Sequence, residues 1–256
     1  MTCVLLYGPA GAAKSKIRPA LEKFHPELVA GMNAQRTFIY KAWLKPGEVA
    51  GVDAMRATGN TLREMKATIP NFLLLKAGRS NHYEGFDLEW LKRMAEDPKA
   101  VGIFRVSTEG AEAISRHPYV SGLQGLNIIF LSPFSRQELI DLRARGGMPL
   151  VDQQIAFATI GNISKSVVDK FGYTARAKEL ITNSAKRAIA VMRTGHFARY
   201  VMPLKEGTLD PVWAADTLTG SAERVVNSIA LILKGQAPDY YDEKWDEDLL
   251  AYKDPT

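Results

Sequence analysis

Apolar and polar positions fall along the chain in blocks that predict strands and helices in turn. Continuous apolar runs at Cys3–Tyr7, Ala100–Val106 and Leu126–Leu131 predict buried strands, and the first and third are unbroken enough for a parallel sheet covered on both faces. Each is followed by a segment of helical spacing, at Ser15–Phe24, Thr108–Arg116 and Ser135–Arg145. The last of these opens with a Ser-x-x-Glu capping box made by Ser135 and Glu138. This βαβ rhythm predicts an α/β fold with a central parallel sheet flanked by helices. Beyond Gly147 the pattern turns mostly helical, with Gln153–Phe171 and Ala175–Thr194, then a short strand at Ala198–Met202 and a helix at Ser221–Lys234. No internal repeat or low-complexity linker interrupts it.

At 256 residues and 46% apolar composition the chain has enough material for a sizeable core. A single cysteine, Cys3, excludes a disulfide framework and points to a reducing compartment. No apolar run approaches the ~20 residues of a membrane span, and Met1-Thr2-Cys3 leads directly into a strand, so a cytoplasmic protein without membrane partners is expected. His25, His82, His117 and His196 show no metal-ligand spacing.

The net charge of +5 hides an asymmetry. Residues 239–256 hold seven acidic residues against Lys244 and Lys253, a balance of −5, which leaves +10 on the rest. A basic body suits a phosphate-rich ligand, either nucleotide or nucleic acid. The tail carries Tyr240, Tyr241, Trp245, Leu249 and Leu250 among its acids and is expected to pack onto the body. The helical stretch after Gly147 carries Lys165, Lys170, Arg176, Lys178, Lys186, Arg187 and Arg193, which read either as a solvated surface or as a face for polyanions.

One segment carries specific chemistry. Gly8-Pro9-Ala10-Gly11-Ala12-Ala13-Lys14-Ser15 follows the first apolar run and opens the first helical segment, the arrangement of a phosphate-binding loop. In such a loop backbone N–H groups form a nest around phosphates, the lysine supplies a mobile positive charge, and the serine hydroxyl ligates Mg²⁺. ATP and Mg²⁺ are the ligands this pattern implies. Ala13 stands where glycine is usual, a change of one methyl group.

Several further segments occur in an order that resembles the guanylate kinase family, a group of phosphate-loop nucleoside monophosphate kinases. They are the opening Gly8-Pro9-x-Gly11 and Lys45-Pro46-Gly47-Glu48-Val49-Ala50-Gly51-Val52-Asp53. Then come Asn81-His82-Tyr83-Glu84-Gly85, Glu109-Gly110, and the run Asn127–Ser135 leading to Glu138-Leu139 and Arg143-Ala144-Arg145-Gly146. The resemblance covers roughly residues 3–147. It implies a kinase core over 1–147 with an acceptor-binding region at about 32–98, a helical lid or flank over 148–238, and the acidic tail. It implies acceptor contacts from Lys45, Tyr83 and Asp53, and lid arginines at Arg143 and Arg145, with Arg136 a third.

The resemblance breaks where guanine would be read. The family's first phosphate-binding arginine aligns with Ala42, a tyrosine with Ala54, the guanine-binding glutamate with Leu74, and the central aspartate with Arg105. A carboxylate that accepts from guanine N–H groups cannot be replaced by leucine or arginine without reversing hydrogen-bond polarity, so GMP is excluded as acceptor. Arg105 reads either as a contact to phosphate or a carbonyl-rich base edge, or as a surface arginine. Trp43 reads as packing or base stacking. A hydroxyl acceptor would need a carboxylate to take its proton, and Asp53, Asp87 and Glu109 are the local options, each also a loop cap. Three functions therefore compete. The first is a kinase for a nucleoside monophosphate other than GMP. The second is a kinase acting on a hydroxymethylated pyrimidine base in DNA, as in certain viral enzymes. The third is a non-catalytic guanylate-kinase-like binding module, against which the intact Lys14 and Ser15 weigh.

Overall fold

A computed structural model describes residues 3–28, 37–42, 44, 50–51, 54–77, 82–97 and 99–251. The chain is α/β. One sheet has four strands in the order β6–β1–β7–β8: β1 (Cys3–Tyr7), β6 (Gly102–Arg105), β7 (Leu126–Ser132) and β8 (Tyr200–Pro203). It is parallel, with Cys3 opposite Gly102 and Ile129 opposite Tyr200. All residues of β1 and β7 are buried, as the uninterrupted apolar runs require. A second sheet runs β3–β2–β5–β4: β2 (Ile39–Lys41), β3 (Met55–Arg56), β4 (Phe72–Ala77) and β5 (His82–Asp87). Its hairpin β4–β5 and the pair β2–β5 are antiparallel.

Helices follow the strands: α1 (Lys14–Phe24), α2 (Gly59–Thr68), α3 (Leu88–Glu96), α4 (Thr108–Arg116), α5 (Arg136–Phe171), α6 (Ala175–Met192), α7 (Asp210–Ala214) and α8 (Gly220–Leu233). The capping box expected at Ser135 is formed. Its side chain accepts from the Glu138 N–H, and the Ser135 N–H donates to Glu138 Oε2 at 2.8 Å. Helix α5 is broken at Gly146 (φ −153°, ψ 17°) and Gly147 (φ 65°, ψ −169°), which separate 136–145 from 148–171. Pro149 then lies in the first turn of the second segment, where its missing N–H costs nothing. Gly172 (φ 64°) ends that segment, and Thr174 caps α6 by accepting from the Ala177 N–H.

The chain forms two compact units. The first comprises Met1–Leu6, Leu21–Ile128 and Ala230–Ala237, and the second comprises Tyr7–Ala20, Ile129–Ile229 and Pro238–Thr256. The first unit is centred on Phe38, Phe86 and Phe104, with Phe38 5.2 Å from Phe104 between ring centroids. Cys3 is fully buried, and burial pushes its thiol well up from the usual range, so it is no nucleophile. An ion pair is also buried there. Lys41 on β2 faces Glu84 on β5 at 3.6 Å, both nearly inaccessible.

In the second unit an aromatic column runs from Tyr7 to Phe130 to Trp245, with centroid separations of 4.9 and 5.5 Å. The Tyr7 hydroxyl donates to the Thr194 carbonyl at 2.6 Å. The acidic tail packs as the sequence led us to expect, with Trp245, Leu249 and Leu250 buried. Among the described residues no helix is long and apolar enough to cross a membrane.

Two substitutions test this account. Trp245→Ala should cost about 3–5 kcal/mol in urea unfolding, because it empties one end of the aromatic column; a loss under about 1 kcal/mol would mean that the tail is not part of the core. Glu84→Gln leaves the Lys41 ammonium buried opposite a neutral group and should cost about 3–5 kcal/mol, while the double change of Lys41 to Met and Glu84 to Leu should recover most of that loss.

Candidate functional site

The segment 8–13 leaves the carboxyl end of β1 and enters α1 at Lys14. From β1 the sheet continues to β6 on one side and to β7 on the other, so this loop stands where the strand order reverses, the usual place for ligands in open α/β sheets. Its backbone is unusual. Gly8 has φ 147°, Gly11 has φ 81° and Ala13 has φ 49°. A Cβ on Gly8 would stand 2.4 Å from the Leu131 carbonyl oxygen, and one on Gly11 would stand 2.6 Å from Asn162 Cβ. Glycine is required at both positions by sterics as well as by dihedral. Ala13 adopts the left-handed conformation despite its methyl group, which costs about 1–2 kcal/mol relative to glycine. The loop closes on itself through Ala12 N–H to the Pro9 carbonyl at 3.3 Å and Lys16 N–H to the Ala13 carbonyl at 2.8 Å.

Lys14 folds back over this loop, its Nζ donating to the carbonyls of Gly8 at 2.8 Å and Pro9 at 2.6 Å. The ammonium is thereby held at the loop's mouth by neutral acceptors. Phosphate oxygens are stronger acceptors for a cation than neutral carbonyls, so those two bonds can be exchanged for bonds to an anion. Ser15 is exposed at the first turn of α1. Among the described residues no three His, Cys, Asp or Glu side chains converge to hold a metal ion.

Helix α5 and the segment after β8 support the loop. Asn162 lies between two glycines, touching Gly11 on one side and Gly207 (φ 54°) on the other, where a Cβ would stand 2.5 Å from Asn162 Oδ1. The Thr208 hydroxyl bonds to the Asn162 carbonyl, and Trp213 Nε1 donates to the Gly207 carbonyl at 2.9 Å. Asp210 bridges Lys16 at 3.0 Å and Lys165 at 3.8 Å. The Lys16 hydrogen bond holds the Asp210 carboxyl below its ordinary range. Asn162 and Asp210 escaped the sequence reading because neither carries a motif.

The remaining expected site residues are dispersed. Arg143 donates to the carbonyls of Asp248 at 2.9 Å, Leu249 at 3.0 Å and Ala251 at 3.3 Å, so its guanidinium clamps the tail. A phosphate contact would require those bonds to be exchanged. Arg145 is exposed, and its Nε donates to the Asp141 carbonyl. Arg136 binds the tail through Asp242 and Asp246. In the first unit, Arg105 ends β6 opposite Leu6. Tyr83 lies on β5, and its ring lies under the Arg63 guanidinium at 5.5 Å. These two line a cavity of about 370 Å³ with Ala42, Thr58, Gly59 and Asn60. Arg63 is a lining residue with no sequence signature. Asp87 is the N-cap of α3, accepting from the Trp90 N–H at 3.0 Å, and Glu109 lies in the first turn of α4. Lys45, Asp53 and Trp43 lie outside the described residues.

The two methyl-scale changes in the loop should have unequal outcomes. Gly8→Ala should destabilise by roughly 3 kcal/mol, since the obstructing atom is strand backbone that cannot rotate away. Ala13→Gly relieves the left-handed alanine while loosening the unfolded chain, and should leave stability within about 1 kcal/mol of the parent. Urea denaturation of both variants checks the pair, and equal losses would refute the loop geometry. No family model matches this chain, and comparison with curated proteins finds no relative.

Proposed function

We propose that the protein is an ATP-dependent phosphotransferase with a phosphate-loop kinase fold, acting on a nucleoside monophosphate other than GMP. The observation that carries the reading is Lys14 folded over a loop with three residues at positive φ, at the strand end where the sheet order reverses. Gly8–Ser15 would hold the triphosphate. Bound Mg²⁺, with Ser15 as its protein ligand, would supply neutralisation of charge on the phosphates.

Phosphoryl transfer asks mainly for positioning and charge neutralisation. An acceptor phosphate oxygen forms the new bond to the γ-phosphorus as the bond to the β,γ-bridging oxygen breaks, and ADP leaves. Such an acceptor is already an anion, so no base is needed. Lys14 moves from two neutral carbonyls to the outer phosphates, Lys16 remains fixed by Asp210, and Asn162 keeps Gly11 in place. On the acceptor side, Tyr83 and Arg63 line a cavity in a sheet where Ala42 and Leu74 replace the family's charged groups, which favours an acceptor other than GMP. Lys45, Asp53 and Arg105 complete the proposed acceptor contacts, and Arg143 and Arg145 the lid.

A second reading places the acceptor hydroxyl on a hydroxymethylated pyrimidine in DNA. It is favoured by the basic balance of the residues outside the tail and by the exposed Lys178, Lys186 and Arg187, which form no ion pair among the described residues. A hydroxyl acceptor releases one proton, which passes to a carboxylate or to water.

Saturating Mg²⁺-ATP, at about a hundred times Kd, should stabilise the protein by about 2.7 kcal/mol, and Lys14→Ala should abolish the shift. Transfer of labelled γ-phosphate to a panel of ribo- and deoxynucleoside monophosphates, and to DNA with and without 5-hydroxymethyluracil, then separates the two acceptors. ATP-independent melting would sink the kinase reading and leave a binding module.

A further inference from the structure

We propose that the distal half of the α5–α6 hairpin is a binding track for single-stranded nucleic acid. Residues 148–171 and 175–192 are joined by three residues and bury a shared apolar seam: Val151, Ile155 and Ile163 from one helix, and Ala177, Ala185 and Ala188 from the other. At the hairpin's base Arg193 binds Asp152 through two bonds, at 3.0 and 3.2 Å. The seam commits the inner faces to each other, so the outer faces are free to carry charge.

That charge is one-sided. From 165 to 187 there are six basic residues, Lys165, Lys170, Arg176, Lys178, Lys186 and Arg187, against Asp169 and Glu179. All six are exposed. Lys165 is engaged by Asp169 and Asp210, whereas Lys178, Lys186 and Arg187 form no ion pair among the described residues. Arg176, Asn183 and Arg187 follow the i, i+7, i+11 spacing of one helical stripe, with Lys186 beside it. From Arg176 to Arg187 the helix rises about 17 Å, the span of about five phosphates along one strand.

The tip adds what a polyphosphate alone would not need. Tyr173 is 96% exposed, and the Phe171 ring lies beneath two cations, Lys170 at 5.4 Å and Arg176 at 5.2 Å. An exposed aromatic ring at Tyr173, two residues from a ring already engaged by two cations, is the combination on which unpaired bases stack while their phosphates meet nearby charge. A duplex hides its base faces, and an acidic peptide offers none. The track also leads to the site. Asn162, which touches Gly11, is ten residues and about 15 Å along the helix from Gly172. This inference gains a catalytic meaning from the DNA reading above, but the binding stands without it.

The test is fluorescence anisotropy of the full chain with a labelled 15-mer oligodeoxythymidine between 50 and 200 mM salt. With about five phosphates neutralised, log Kd should rise with log salt at a slope of about 3.5. The double change Lys186→Glu and Arg187→Glu should weaken binding at least tenfold and lower the slope by about 1.4. Tyr173→Ala should weaken it about tenfold with the slope unchanged, as expected when stacking rather than charge is lost. These side chains are exposed, so melting temperature and the Mg²⁺-ATP shift should not move. Lys14→Ala should bind the oligonucleotide normally, which separates failure of this proposal from failure of the kinase reading. Binding insensitive to the hairpin variants would overturn the proposal. So would preference for duplex, for poly-glutamate or for phosphatidylserine vesicles over the single strand, or no binding at 50 mM salt.

Discussion

The second unit depends on how closely the loop after β1 lies against β7. At Gly8 the backbone approaches the Leu131 carbonyl so nearly that no side chain fits between them. That contact fixes where the loop starts, and α1 fixes where it ends, so the intervening residues must turn within six positions. The cost of the turn is met by two glycines and one strained alanine. Lys14, the first residue of α1, is thereby placed to arch back over the carbonyls of Gly8 and Pro9. The Tyr7–Phe130–Trp245 column packs at the strand end from which the loop starts, since Tyr7 directly precedes Gly8. The acidic tail, expected to pack onto the body, thus contributes Trp245 to the core of this unit beside Phe130.

The long hairpin from Met148 to Met192 serves two ends of the same unit. Near its middle, Asn162 fills the gap between Gly11 and Gly207, so the packing of α5 bears directly on loop geometry. Further out the outer faces of the hairpin are exposed, and their composition shifts to lysine and arginine. Charge is sorted along the unit: arginines at 136 and 143 hold the tail through its carboxylates and carbonyls, Lys16 and Lys165 share Asp210, and Lys178, Lys186 and Arg187 form no ion pair among the described residues. Electrostatic attraction for an anion is therefore strongest where the fold does not consume it.

The first unit solves a different problem. Lys41 and Glu84 face each other on neighbouring strands inside the small sheet, an arrangement that contributes little net stability but strongly penalises loss of either partner. It fixes the pairing of β2 with β5, and so sets Ala42 and Tyr83, the residues next along, at the cavity shared with Arg63. The polar lining there includes an arginine on a helix and a tyrosine on a strand, beside the apolar Ala42.

The elements legible in the sequence were those governed by local rules. Continuous apolar runs located β1 and β7, the Ser-x-x-Glu pattern located the start of α5, and Gly-x-x-x-x-Ala-Lys-Ser located the loop. Each depends on residues within one turn or one strand of each other, so the pattern carries the geometry. The small sheet was not legible, because Lys41 and Glu84 look like surface charges until pairing across β2 and β5 buries both. Arg143 stands where the family resemblance implies a lid arginine, but only the path of the tail brings three carbonyls to its guanidinium. Asn162 and Arg63 have no signature, since the glycines that Asn162 touches lie more than 40 residues away and the Tyr83 ring under Arg63 lies 20 residues away. By itself the sequence determined the α/β alternation and where the loop between the first strand and the first helix lies. The tertiary structure decided which cations are consumed by the fold and which are left to meet a ligand, because ion pairing depends on distances that close only when remote segments pack.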